Sequence, residues 1–470
     1  MSLVKRHSSV LFCLAIILVL GALISITIIL PADAQGGTIY VKAGSSGGGT
    51  SWADAYGDLQ SALDAANAGN EIWVASGTYT PTVKHGGTND RHKSFQMKDG
   101  VEIYGGFPSS GNPGWDDRDW QTHKTTFSGE ISNPGIADNC YHVFYHPDSI
   151  SLSSSAVLDG FTITKGNADE DGSMNGHDEG GGMFNDTCEP TIINCIFSYN
   201  SAINGGAILN NVAGPVVNNC VFLSNSASSW AGAVMNSSGG CEPVFTNCVF
   251  TDNTASTGGA IYVKQASPRL VNCILWENWG NGPEIDHISL YFMSSTVDVT
   301  YCDVEGASSK PWFGTGCITG TPMFVNPGNG DFHLKASSPC INSGSNSAAS
   351  CISEDFEGDN RIIGTVDMGV DEAAVGIHIY VTLQGNNRPA EGWGIPIAIG
   401  FFPANSGTPV LFSGSATADF WFEGTTSGTI TASGTRAYFQ CPEPVSPGTY
   451  DITADSTTTL LNVKRAVHIE

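Results

Sequence analysis

Three stretches of this chain bring together side chains that could do chemistry. "PEIDHISL" sets Asp286 beside His287, and a carboxylate next to an imidazole can take up and release a proton near neutral pH. "GNADEDGSMNGHDEGGG", residues 166–182, carries Asp169, Glu170, Asp171, Asp178 and Glu179. Oxygen-rich loops hold Ca²⁺, and Asp169, Asp171, Asp178 and Glu179 are the candidate ligands. Their order does not match an EF-hand loop and no flanking helix is visible, so a solvated loop extruded from a scaffold is the plainer reading. "PSSGNPGWDDRDWQTHK" sets Asp116, Asp117 and Asp119 among Trp115 and Trp120. Aromatic faces suit sugar rings; the alternative is a long loop pinned down by its own Trp residues.

The scaffold that must position these groups is written in repeats. Asn-Cys recurs at Asn194-Cys195, Asn219-Cys220, Asn247-Cys248 and Asn272-Cys273, in steps of 25, 28 and 25 residues, and Tyr301-Cys302 follows 29 later. Phe197, Phe222 and Phe250 are each followed three residues on by Asn200, Asn225 and Asn253. Gly-Gly-Ala-Ile stands at 205–208 and 258–261, with Ala-Gly-Ala-Val between them at 231–234. A period near 25 is too short for a domain and suits one coil of a solenoid. Short alternating runs rich in β-branched residues, broken by Asn and Gly, predict strands and turns. The fold expected is all-β: a right-handed single-stranded parallel β-helix. Its like residues stack in files about 4.8 Å apart. Leu59, Ala62, Leu63 and Ala66 share one face of a short helix that caps the first coil. At about 25 residues per coil, the 300 residues of the solenoid predict about 12 coils.

Composition limits the partners. The 470 residues include 57 Gly, and the formal net charge is -26, a surface that repels phosphate backbones and argues against nucleic acid. Residues 1–34 join Lys5 and Arg6 to an apolar run, Val10–Leu30, and a small-residue site at Ala32 and Ala34. This reads as a secretory signal peptide. The run is also long enough to span a bilayer, so a transmembrane anchor over about residues 10–30 is the alternative. Either way the remainder is secreted or at the cell surface, and membrane contact is confined to this segment. The β-helix is expected over 35–375, with a closing motif at 337–372. A non-periodic β-sandwich domain is expected over 376–470, where the strands lengthen.

The files explain the cysteines. Cys195, Cys220, Cys248 and Cys273 read as buried thiols packed as small hydrophobes. Cys340 and Cys351 close a short loop and are the preferred disulfide pair, with Cys302 and Cys317 second.

The repeated segments resemble the Phe-x-x-Asn and Gly-Gly-Ala-Ile repeats of chlamydial polymorphic outer-membrane proteins. More broadly they resemble bacterial right-handed parallel β-helix repeat proteins, over about 38–335. "FEGDNRIIGTVDMGVDEA" is similar to the closing motif of choice-of-anchor surface proteins. The counterparts are Glu357-Gly358 with Arg361, and Asp367-Met368-Gly369 with Glu372, and Val370 stands where Ala is usual. Pectate lyases, which share the fold, carry an Ile-Asp-His phrase like that at Asp286-His287, but their Arg-x-Pro-x-x-Arg motif is missing, as are the Asn-Thr-Asp and Gly-His-Gly motifs of polygalacturonases. The function expected is adhesion or glycan binding by a non-catalytic exported rod, with no cofactor beyond an optional Ca²⁺. The alternative is a polysaccharide lyase or glycoside hydrolase on the same scaffold.

Overall fold

The computed structural model describes residues 36–373, except 133–134, 171, 173–175, 281–284, 289–295, 336 and 363, and the backbone strands of the C-terminal part. The chain divides into two compact units, Met1–Leu334 with Pro339–Glu372, and Lys335–Ser338 with Ala373–Glu470.

The first unit is a right-handed parallel β-helix. Successive coils contribute strands to three main parallel sheets, and three middle coils add a small fourth one. The first sheet has nine strands, from Thr38–Val41 to Asp298–Thr300; the second has eight, from Gly77–Tyr79 to Asp303–Val304; the third has six, from Phe144–His146 to Ile285–Ile288. Register follows the repeat: Phe197 pairs with Phe222, and Phe222 with Phe250. These rings stack inside the coil at 5.3 and 4.5 Å between centroids. The nine strands of the first sheet span eight steps, about 38 Å. Fewer coils form than the period predicts. The early coils carry long excursions, such as that between the paired residues Glu102 and Val157, and the last residues of the unit do not coil at all.

The repeated Asn-Cys pair is the corner between the first and second sheets. Asn194, Asn219, Asn247 and Asn272 hold φ of 50°, 51°, 54° and 55°, the left-handed region that Asn tolerates better than most side chains. Each following Cys then points inward. Cys195, Cys220, Cys248 and Cys273 are free and buried, as the spacing predicts. The next corner turns Asn200, Asn225, Asn253 and Asn278 inward, and their amides bond to one another from coil to coil. At Gly206 the backbone of the next coil lies so close that a Cβ would stand 2.3 Å from the Gly232 carbonyl oxygen.

The helix Leu59–Ala65 begins at Asp58, whose carboxylate accepts the Ser61 amide at 2.9 Å. Its Leu59, Ala62 and Leu63 enter the core at the start of the stack. The disulfide between Cys340 and Cys351 is not made. The buried Cys340 thiol donates to Asp303 Oδ2 at 3.1 Å. Cys302 and Cys317 are free. Nearness along the chain did not decide pairing here, because the segment after Cys340 leaves along the flank of the coil.

That segment, 339–372, is a strap. It starts beside Asp303, where Cys340 bonds, and runs back against the direction of coiling. Ser345 N donates to Asn272 Oδ1 (2.7 Å), and Asn219 Nδ2 donates to the Glu354 carbonyl (2.8 Å). It reaches the Phe356 carbonyl, which accepts from Trp120 Nε1 at 2.7 Å. The chain then returns, and Gly369 N donates to the Asn272 carbonyl at 2.8 Å. The closing motif therefore seals one side of the stack.

In the second unit, seven strands from Tyr380–Leu383 to Asn462–Ile469 pair antiparallel in one sheet, in keeping with their longer alternation. Among the described residues no helix is long and apolar enough to cross a membrane. The leader at 1–34 lies outside the described residues.

Candidate functional site

The acidic loop at 166–182 is spent on local pairing. Arg91 Nη2 bonds to Asp169 Oδ1 and to the Asn167 carbonyl, both at 2.6 Å, while its guanidinium lies 4.1 Å over the Tyr141 ring. Tyr141 stacks on His177 at 4.7 Å, and His177 Nδ1 contacts Glu170 Oε2 at 2.9 Å. His92 meets His177 edge-on at 4.6 Å. His142 lies beneath, and burial pushes its imidazole down to about 3. The Asp178 carbonyl accepts the amides of Ile203 and Asn204. Glu179 is pushed up to about 7, first by burial and then by neighbouring Asp178. Asp171 lies outside the described residues. Among the described residues, Asp169, Asp178 and Glu179 do not converge on a common point.

Asp286 and His287 sit in the last strand of the third sheet, in register with Tyr262 and Val263. Their side chains lie outside the described residues.

The Trp loop divides in two. Trp115 packs against Trp73, Tyr104 and Phe107, with centroids 5.7, 4.9 and 6.1 Å apart. Arg118 fixes this packing: Nε donates to the Gly105 carbonyl at 2.7 Å, and Nη2 pairs with Asp159 Oδ1 at 2.8 Å. Its guanidinium lies against the rings of Tyr104, Trp115 and Trp120. Asp117 and Asp119 accept backbone amides of their own turns, and Asp116 is exposed. Trp120 goes on to line a shallow surface cleft with Gln121, Lys124, Thr162, Asn194 and Phe356. One aromatic floor, an exposed ammonium and several amide and hydroxyl groups are the mixture that orients a polar ring compound.

A further cluster was not foreseen. His333, on the hairpin Phe324–Leu334, meets Glu357 and Asp371 of the strap, and each offers a ligand atom within 4.8 Å of the others. Burial, then Asp371, Asp355 and Asp359, push the Glu357 carboxyl up to about 9. Asp355 is pushed up to about 6, mainly by burial. Arg361 is wholly buried beside them, its Nη atoms donating to the carbonyls of Val370, Asp367 and Gly369. The sequence marked Glu357, Arg361 and Glu372 as a motif. It gave no sign of His333, which the path of the strap brings in.

Comparison with known proteins agrees with the coiled sheets. The family model described as a right handed beta helix region matches residues 126–289 and 183–318. No curated protein matches the chain. Solved structures similar to it include pectate lyase Pel9A, at 14% identity, covering 73% of this chain and 97% of that one, with a TM-score of 0.35. A rhamnogalacturonan lyase, also at 14% identity, covers 57% of this chain and 68% of that one, with a TM-score of 0.28.

Proposed function

We propose that this right-handed parallel β-helix repeat protein is an exported, non-catalytic glycan-binding or adhesive protein, secreted or held at the cell surface. The observation that carries the reading is the cleft between the Trp120 loop and Phe356, with Gln121, Lys124, Thr162 and Asn194 around it. Sugars offer an apolar ring face edged by hydroxyls, and this lining matches both. The net charge of -26 disfavours strongly anionic polymers over most of the surface, so neutral glycans, or acidic ones anchored at Lys124, are the expected ligands.

The test is retention of the chain on a panel of neutral and acidic polysaccharides, with Lys124→Ala and Gln121→Ala beside it. Lys124→Ala removes an exposed polar contact, Gln121→Ala also the bond to the Phe356 carbonyl that shapes the cleft, and each is expected to weaken retention about tenfold. Retention by both variants equal to that of the parent sinks the cleft as the site. Release of unsaturated products or new reducing ends from the same polymers replaces the reading with a lyase or hydrolase.

A further inference from the structure

We propose that His333, Glu357 and Asp371 bind a divalent transition metal of the zinc class, which fastens the returning strap to the hairpin Phe324–Leu334. The three donors come from separate segments, and their ligand atoms already lie within 4.8 Å of one another. In a tetrahedral zinc site with bonds of about 2.0–2.2 Å the donors stand about 3.4 Å apart. Modest side-chain rotation closes that gap, and His333 is exposed and free to make it.

Each ligand is oriented. His333 Nδ1 contacts Asp331 Oδ1 at 2.6 Å. That bond holds the ring proton on Nδ1 and leaves the Nε2 lone pair for a metal, the carboxylate–histidine arrangement that accompanies metal-bound imidazoles. Asp371 is 4% exposed, and its Oδ2 accepts the Leu334 amide at 3.1 Å. Glu357 Oε2 is buried with no hydrogen-bond partner. A buried carboxylate oxygen with nothing to accept from is what a cation would complete. Arg361 does not fill that role, since its Nη atoms are taken by backbone carbonyls. One imidazole with two carboxylates selects for zinc and its neighbours; Ca²⁺ and Mg²⁺ sites are built from oxygen alone. Three protein donors leave a fourth position for water.

The experiment strips the purified full chain with a chelator and titrates it with Zn²⁺, Co²⁺ and Ca²⁺. The expected result is one equivalent of Zn²⁺ bound, with tetrahedral Co²⁺ absorption at the same stoichiometry and no displacement by Ca²⁺. His333→Ala and Glu357→Gln should each weaken that equivalent at least a hundredfold. Asp331→Asn, which removes only the orienting partner, should weaken it ten- to a hundredfold. Zn²⁺ should also slow amide exchange across 340–372 in the parent chain and not in Glu357→Gln. His333 is exposed, so His333→Ala keeps the fold, which circular dichroism checks. No bound equivalent, or one that survives His333→Ala, or preference for Ca²⁺, overturns the proposal.

Discussion

Asn225 is the sharpest place to test how the coils hold together. Its side chain is wholly buried. Its Oδ1 accepts from Asn200 N and Asn200 Nδ2, both at 3.1 Å, and its Nδ2 donates to the Phe197 carbonyl at 2.8 Å and to Asn253 Oδ1 at 3.0 Å. Asn225→Ala deletes all four bonds. Asn200 Nδ2 keeps the Ile163 carbonyl and Asn253 Oδ1 keeps the Asn225 amide. The Asn200 backbone N–H loses its acceptor in a site water does not reach. One stranded buried donor costs about 1–3 kcal/mol, and the other lost bonds add about 1 kcal/mol each. The total expected is about 4–6 kcal/mol. Asn225→Asp should cost more, because a carboxylate cannot donate to Phe197 O or Asn253 Oδ1 and brings a buried charge. The assay is native-state hydrogen exchange, read at Asn200, Ser226 and their neighbours, since a coil contacts only the coils beside it and opens locally. A loss below 1 kcal/mol for Asn225→Ala, or Asp tolerated better than Ala, would refute the idea that the amide file carries the stack.

Three further outcomes are expected. Gly206→Ala should destabilise by more than 3 kcal/mol in urea unfolding, since its methyl would stand 2.3 Å from the Gly232 carbonyl oxygen and neither backbone can retreat without parting two coils. Glu179, whose folded pKa of about 7 lies above its unfolded value, keeps its proton in the folded state where the unfolded chain has lost it. Its contribution to stability should therefore be greatest below about pH 4.5, fall by about 3 kcal/mol as pH rises to 7 and level off above about 8, and Glu179→Gln should remove that part of the slope in melts across the range. Cys317 is only half-buried, and the hydrogen bond with Cys302 lowers its thiol to about 7, so a thiol reagent followed by peptide mapping should label it first, with Cys140 and Cys241, both pushed up to about 12 by burial, unlabelled until the chain unfolds.

The coil was legible because one residue type answers one geometric demand at every repeat. Asn before Cys marks a left-handed corner, Phe two residues after the Cys marks an inward strand position, and paired Gly marks where neighbouring backbones touch. The same logic weakens before residue 157, where excursions stretch the period and hide the strands. Side-chain chemistry was less legible. Trp115 and Trp120 share a loop, a residue type and the Arg118 guanidinium, yet one packs among Trp73, Tyr104 and Phe107 and the other lines a cleft, and that difference is set by what packs against them. Cys340 sat near Cys351 in the chain, but its thiol was taken by Asp303. His333, Glu357 and Asp371 lie on segments with no shared pattern, and only the course of the strap joins them.

The strap also sets an order of events. Trp120 and Phe356, bonded to each other, are 236 positions apart, so the early coils stack with one flank bare until almost the whole unit has been delivered. Chains that emerge N-terminus first would pass through a stage with coils built and the seam open. A product cut short anywhere before residue 354 keeps that seam, with the Trp120 indole N–H and the Asn219 amide left without the Phe356 and Glu354 carbonyls. The last stretch of the unit thus works as a seal of completeness, setting finished molecules apart from truncated ones by what their flank leaves open to proteases and chaperones.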